Sequence, residues 1–264
     1  MDFKRIEWIL LVVFVAISIF LGFEIVQTPI HLSTSSQAQS SDVYGEMVSD
    51  NIIWPKNLSD APEDAYYLAA SPSTALANAK VAGSKSFDRN SLTLAVTLSK
   101  PVPLAHGREK AIKQILAFKN NETNVAHGKD YVLDRLSSTN KTYQFDQLTD
   151  FGRLYYRGAR LQINVASNAI VGYRQTYLPQ VEAVREKQAT ISQRHALKSL
   201  YTLRELPNNS RVTKVEMGYR HLTTVRNNVI FLPVWRLGIE NRATGSMAAK
   251  QVNAFTGALM QNSN

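Results

Sequence analysis

The sequence of 264 residues contains no cysteine. Disulfides, thiolate metal sites and a cysteine nucleophile are therefore excluded. The five histidines are scattered and form no H-x-H or H-x-x-x-H pair, so the sequence predicts neither a metal site nor a cofactor. The glycine-rich nucleotide-binding signatures and the G-x-S-x-G motif are also missing. These absences remove the usual residues of cysteine-dependent, metal-dependent and nucleotide-binding enzymes and of hydrolases with a G-x-S-x-G motif.

The remaining catalytic candidates are weak. The segment 138–141 matches S-x-x-K, but it lies in a predicted turn, where this spacing does not place the lysine beside the serine. Asp146 with Asp150, and Glu63 with Asp64, are carboxylate pairs only by proximity along the chain. We therefore predict no catalytic residue and keep an anchored hydrolase as the third hypothesis.

One long apolar run stands near the N-terminus. Trp8 to Phe23 is uncharged and is bracketed by Glu7 and Glu24. Extended to 6–26, a helix would be roughly 31 Å long at ~1.5 Å per residue, close to the ~30 Å hydrocarbon core of a bilayer. We predict a single transmembrane helix at 6–26.

The flanking charges predict its orientation. Lys4 and Arg5 precede the run, and the first cation after it is Lys56. The positive side stays in the cytoplasm, which gives a stub at 1–5 and an extracytoplasmic C-terminal domain at the cell membrane. The alternative is a signal peptide that is cleaved after Ala38, although that position lies far beyond the apolar run.

The predicted exported part is basic. The net charge is +9, and residues 1–27 hold two cations and three carboxylates, so the rest carries +10. Such a domain is attracted to anionic wall polymer or lipid head groups. Its location excludes nucleic acid as a partner. A binding module for anionic wall polymer is therefore the second functional hypothesis.

Periodicity predicts an α+β fold after a linker at 27–56. The pattern of one helix followed by four antiparallel strands occurs twice, which predicts two related helix-plus-sheet units at 57–180 and 181–264. Helices are predicted at about 73–80, 107–118 and 192–203, and strands at about 66–70, 91–98, 131–137, 142–149, 159–166, 170–177, 211–222, 228–240, 248–253 and 258–261. The densest basic cluster is Arg153, Arg157 and Arg160.

The apolar helix has one face suited to a partner helix. Ser18 and Gly22 are four residues apart, and two small residues at this spacing let another helix approach closely. The hypothetical partner-helix interface consists of Leu11, Val15, Ser18, Gly22 and Ile25.

The N-terminus carries a family resemblance. Met1–Ile9, followed directly by one apolar span, resembles the start of YycI (WalI) proteins of Gram-positive bacteria, and the layout of the whole chain is similar. Residues 232–236 with 252–257 resemble the ending of PepSY-like modules, as in the YycH-like fold, with Asn253 in place of the usual aspartate. We interpret that ending as a structural hairpin.

The resemblance implies regulation of a two-component system that controls cell-wall homeostasis. It implies a non-enzymatic, membrane-anchored protein that acts with YycH on the sensor histidine kinase YycG (WalK), through transmembrane-helix and extracytoplasmic contacts. It leaves open whether the kinase is activated or inhibited.

Overall fold

A computed structural model describes residues 36–261 and five earlier positions: 8, 11, 13, 14 and 17. The chain divides into two compact units, Met1–Glu46 and Met47–Asn264. The five early positions are helical, and their apolar side chains are exposed, from 49% at Val13 to 73% at Phe14. Among the described residues, no helix has both the length and the apolar character needed to span a membrane. The predicted helix at 6–26 lies largely outside the described residues and stays a prediction.

The described chain is an α+β fold with three α-helices and fourteen strands. The helices are α1 (Ser36–Ser49), α2 (Arg108–Asn120) and α3 (Gln193–Thr202). The strands are β1 (Asp64–Ala65), β2 (Leu68–Ala70), β3 (Ser84–Asp88), β4 (Thr93–Pro103), β5 (Tyr131–Asp134), β6 (Thr142–Thr149), β7 (Gly152–Tyr155), β8 (Arg160–Ala166), β9 (Ala169–Gln175), β10 (Val181–Ala183), β11 (Gln188–Ala189), β12 (Ser210–Val225), β13 (Asn228–Asn241) and β14 (Met247–Asn253). The α+β class is confirmed.

Twelve strands form one mixed sheet. Its order is β10-β2-β13-β12-β7-β6-β8-β9-β4-β3, with β14 beside β13 and β5 beside β6, while β1 and β11 pair separately. Most neighbours are antiparallel, but β7 and β12 run parallel, with Leu154 opposite Tyr219. We call this parallel contact the seam, because it joins the strands on its β6 side to those on its β13 side.

On the β6 side of the seam, α2 covers one face of the sheet. Alternate residues of β6 and β8, such as Phe145, Leu161 and Ile163, are fully buried in one core. Ile115 and Phe118 of α2 belong to the same core. The intervening residues of these strands point to the opposite face, which is polar and partly exposed.

On the other side of the seam, α3 packs against β13 and β14. Ser192 caps α3, because its hydroxyl accepts from the backbone N–H of His195 at 3.1 Å. The indole N–H of Trp235, on β13, donates to the carbonyl of Ile191 at 2.8 Å. Arg236 follows Trp235 and therefore points to the opposite face of the sheet from α3.

Several sequence predictions agree closely with the structure. The helices at about 107–118 and 192–203 correspond to α2 and α3, and the strand at 142–149 is β6. Ser167 and Asn168 form the predicted turn between β8 and β9, both with positive φ. Asn253 closes the turn after β14, since its side chain accepts from the N–H of Phe255 at 2.8 Å.

Other predictions differ. The linker at 27–56 contains α1, whose residues show no clear apolar stripe. The helix at 73–80 is a short 3-10 turn, Ala75–Asn78, and the strand at 258–261 is reduced to one bridge between Val252 and Leu259. The relation between two repeated units and the boundary at 180 stay predictions. In the structure, β2 from the predicted first unit lies between β10 and β13 of the second.

Candidate functional site

A cleft of about 540 Å³ lies at the seam. Strands from both sides of the seam line it. The lining residues are Asp134, Ser137, Tyr155, Tyr156, Arg157, Arg160, Arg220, His221, Arg236, Ala249 and Gln251.

Strand register explains why residues far apart in sequence meet here. Across the seam Arg220 lies opposite Tyr155, and across the β13–β14 hairpin Arg236 lies opposite Gln251. On the other side, Arg160 of β8 lies opposite Asp146 of β6. Opposed residues share a face of the sheet, so these side chains gather on the face that α2 and α3 leave uncovered.

A buried ion pair forms the floor of the cleft. The Arg236 guanidinium donates to both carboxylate oxygens of Asp134, at 3.1 and 2.8 Å, and both side chains are almost fully buried. Burial alone would raise the pKa of Asp134, but the bonds from Arg236 hold it below its ordinary value. The guanidinium also lies 4.8 Å from the ring centre of Tyr155. This geometry fixes Arg236 in place.

Asp146 lies beside the cleft as the partner of the lining residue Arg160. It is fully buried, and its Oδ1 lies 3.4 Å from Nη2 of Arg160. Its Oδ2 has no hydrogen-bond partner within the described chain. Burial, with a smaller contribution from Asp134, raises the pKa of Asp146 to about 6.

The C-terminal residues border the cleft through Arg220. Its guanidinium donates to Gln251 Oε1 at 3.0 Å, to the carbonyl of Met260 at 3.3 Å and to the carbonyl of Gln261. Burial lowers the pKa of Arg220 from its ordinary value. Arg220 thus connects β12, β14 and the segment after β14.

The lining is strongly cationic. Four guanidiniums line the cleft; Asp134 neutralises that of Arg236, and the carboxylate of Asp146 lies against that of Arg160. Arg157 is exposed, and its side chain makes no hydrogen bond or ion pair that the structure records within residues 36–261. Such a lining attracts anions.

The structure does not bring the catalytic candidates predicted from the sequence together into a site. The Ser138 hydroxyl donates to the carbonyl of Asp134 at 2.6 Å, while Lys141 is exposed. Asp146 is buried, whereas Asp150 is exposed, and Glu63 and Asp64 are both exposed. Over the residues that the structure describes, no group of three His, Asp or Glu side chains is placed to hold a metal ion.

The predicted partner-helix interface is almost wholly outside the described residues. Leu11 is described and is 58% exposed. Val15, Ser18, Gly22 and Ile25 lie outside the described residues, so this interface stays a prediction.

Part of the cleft lining could be predicted from the sequence. Of the basic cluster Arg153, Arg157 and Arg160, the last two line it, and Arg153 pairs with Glu216 at 3.4 Å instead. The other two lining arginines, Arg220 and Arg236, reach the cleft because of strand pairing between distant parts of the chain. Local sequence patterns carry no information about such pairing.

Comparisons with known proteins complete the description. A family model described as YycI protein matches residues 31–255. No curated protein matches the chain. Among solved structures, an uncharacterized protein from Eubacterium rectale ATCC 33656 is 12% identical, with 81% of this chain and 92% of that chain covered and a TM-score of 0.45. The Bacillus megaterium YpeB C-terminal domain is 13% identical, with 86% and 98% covered and a TM-score of 0.42.

Proposed function

The chain belongs to the YycI family, and from this membership we propose that it is a membrane-anchored, non-enzymatic regulator of the sensor histidine kinase YycG (WalK). The family match over residues 31–255 is the observation that carries the proposal. Membership in the family points to a regulatory protein of the YycG/WalK two-component system. Membrane anchoring, the partner YycH and the contact surfaces are the further steps of the proposal.

The anchor is the apolar run from Trp8 to Phe23. Its length and its flanking Lys4 and Arg5 support a single crossing with the N-terminus in the cytoplasm. The exposed apolar side chains of Trp8, Leu11 and Phe14 also support a helix that requires an apolar environment.

We propose that this helix also transfers the signal. It is the segment proposed to lie within the membrane, where it can contact the membrane helices of the kinase. A partner changes the balance between two kinase states by as much as its affinity for those states differs. We propose that Leu11, Val15, Ser18, Gly22 and Ile25 form the face that contacts the kinase or YycH, and that the extracytoplasmic domain also contacts YycH.

The test uses the full chain with the kinase in membranes. Replacing both Ser18→Leu and Gly22→Leu removes the close approach between helices and also the Ser18 hydroxyl, and interhelical hydrogen bonds of such groups contribute ~0.6–2 kcal/mol. Co-purification of the kinase should fall about tenfold, and kinase autophosphorylation should move to the level measured without this chain.

The matched control is Ala16→Leu, which enlarges a small residue on a different face of the same helix. It should leave co-purification unchanged. Survival of the complex in the Ser18/Gly22 variant would show that this face is the wrong one, and equal loss in both variants would remove the assignment of a face.

A further inference from the structure

The cleft at the seam has the features of a built anion site. The Arg157 guanidinium is exposed and makes no recorded hydrogen bond or ion pair among the described residues. Arg160 contacts Asp146 through Nη2 at 3.4 Å, while its Nε is buried and has no hydrogen-bond partner among those residues. The hydroxyl of Tyr155 is likewise buried without a partner in the described chain. The lining residues therefore provide one exposed guanidinium and two buried donors without a partner in the described chain, beside the neutralised pair Asp134–Arg236.

The number and type of donors favour phosphate over carboxylate. A guanidinium binds phosphate oxygens in a bidentate manner, and a tetrahedral phosphate accepts from several donors in different directions. Arg157 and Arg160 are three residues apart in sequence, just before and at the start of β8, and both line the cleft. A carboxylate, which is planar and has two oxygens, uses fewer of these donors.

A neighbouring cavity suggests what the phosphate is attached to. This second cavity of about 530 Å³ shares Tyr156 and Arg157 with the cleft. Its other lining residues include the short polar side chains of Asn90, Ser91 and Thr93. Amides and hydroxyls of this kind bind the hydroxyl groups of a polyol or sugar.

We propose that the cleft binds a phosphate ester of a polyhydroxylated compound, with the phosphate held by Arg157 and Arg160 and the hydroxyl groups directed past Tyr156 into the second cavity. The proposal is independent of kinase regulation. A wall polymer that contains phosphodiesters and the head group of an anionic lipid both offer this chemistry.

The test is calorimetric titration of the full chain in nanodiscs of phosphatidylcholine at low ionic strength. Glycerol 3-phosphate should bind, and glycerate, which has a carboxylate and hydroxyls but no phosphate, should bind at least about tenfold more weakly. Absence of binding by glycerol 3-phosphate, or equal binding by glycerate, would overturn the proposal.

Two double variants separate a site from general charge attraction. Arg157→Gln with Arg160→Gln should weaken glycerol 3-phosphate binding at least about tenfold, because each removes a charge-assisted bond. Lys110→Gln with Lys113→Gln removes the same charge from exposed positions of α2, on the covered face of the sheet, and should leave binding unchanged. Equal loss in both pairs would overturn the site. If the double variant unfolds, Arg157→Gln alone still tests the proposal, because Arg157 is exposed and its replacement does not disturb the core.

The source of the phosphate is then distinguished by competition. Soluble poly(glycerol phosphate) should displace glycerol 3-phosphate if the natural ligand is a polymer, and nanodiscs that contain phosphatidylglycerol should do so if it is a lipid head group. Either result supports phosphate-ester binding. Failure of both competitors, with binding lost at moderate salt in every variant alike, would contradict it.

Discussion

At the scale of single residues, Asp146, the partner of Arg160, makes the stability of the fold depend on pH. Its pKa is raised from 3.8 to about 6, first by burial and then by Asp134, while Arg160, Arg236 and Arg153 oppose the shift. The folded state therefore binds this proton more tightly than the unfolded state does. The contribution of Asp146 to the free energy of unfolding falls as pH rises from 3.8 to about 6.

The variant Asp146→Asn should remove this fall. Its amide has the shape of the protonated carboxyl, and its oxygen can keep the 3.4 Å contact with Arg160. The free energy of unfolding near neutral pH should rise by about 1–3 kcal/mol, as measured by urea denaturation across the pH range. Asp150→Asn, at an exposed position, is the control with the same charge change. A destabilised Asp146→Asn protein would mean that the ionised form is preferred in the folded state.

At the scale of elements, the seam depends on close approach of β7 and β12. A Cβ on Gly218 would lie 2.5 Å from Cε2 of Tyr155 and 2.8 Å from the carbonyl oxygen of Arg153. The second atom belongs to the backbone, so Gly218→Ala must move the two strands apart. We expect a loss of about 1–3 kcal/mol in the free energy of unfolding, measured by urea denaturation.

Gly45→Ala is the matched control for this substitution. Gly45 lies within α1, and an added Cβ there meets no atom of the rest of the described chain within 4 Å, apart from the backbone of α1 and the neighbouring residues. Since alanine is favoured over glycine in a helix by ~1 kcal/mol, this change should be neutral or stabilising. Equal stability of the Gly218→Ala and wild-type proteins would mean that the seam tolerates a wider spacing.

The elements also show what sequence patterns can and cannot supply. The helix α3 could be predicted because Ala196, Leu197 and Leu200 repeat at helical spacing and are all buried. The short strand β7 was missed, since its four residues are too few to establish a period. The cleft requires the parallel pairing of β7 with β12, and long-range register of this kind is absent from any local window.

At the scale of the whole molecule, one sheet runs through both predicted units. If they form one cooperative body, amide hydrogen exchange should give the same opening free energy for α2 and α3, close to that of global unfolding. Mass spectrometry of peptides covering 108–120 and 193–202 measures both. A difference above ~2 kcal/mol would instead support the predicted boundary at residue 180.

The position of β2 has a consequence for the order of folding. Ala70 pairs with Val229 on one side and with Val181 on the other, and Ile53 bridges to Arg211. Synthesis proceeds from the N-terminus, so these early residues cannot form their strand pairs until the partner strands have been made much later. Long-range pairing of this kind slows folding. β2 therefore has no partner strand until β10 has been made, and it takes its place between two strands only after β13 has been made. The first strand of the sheet to be made is thus among the last to be placed.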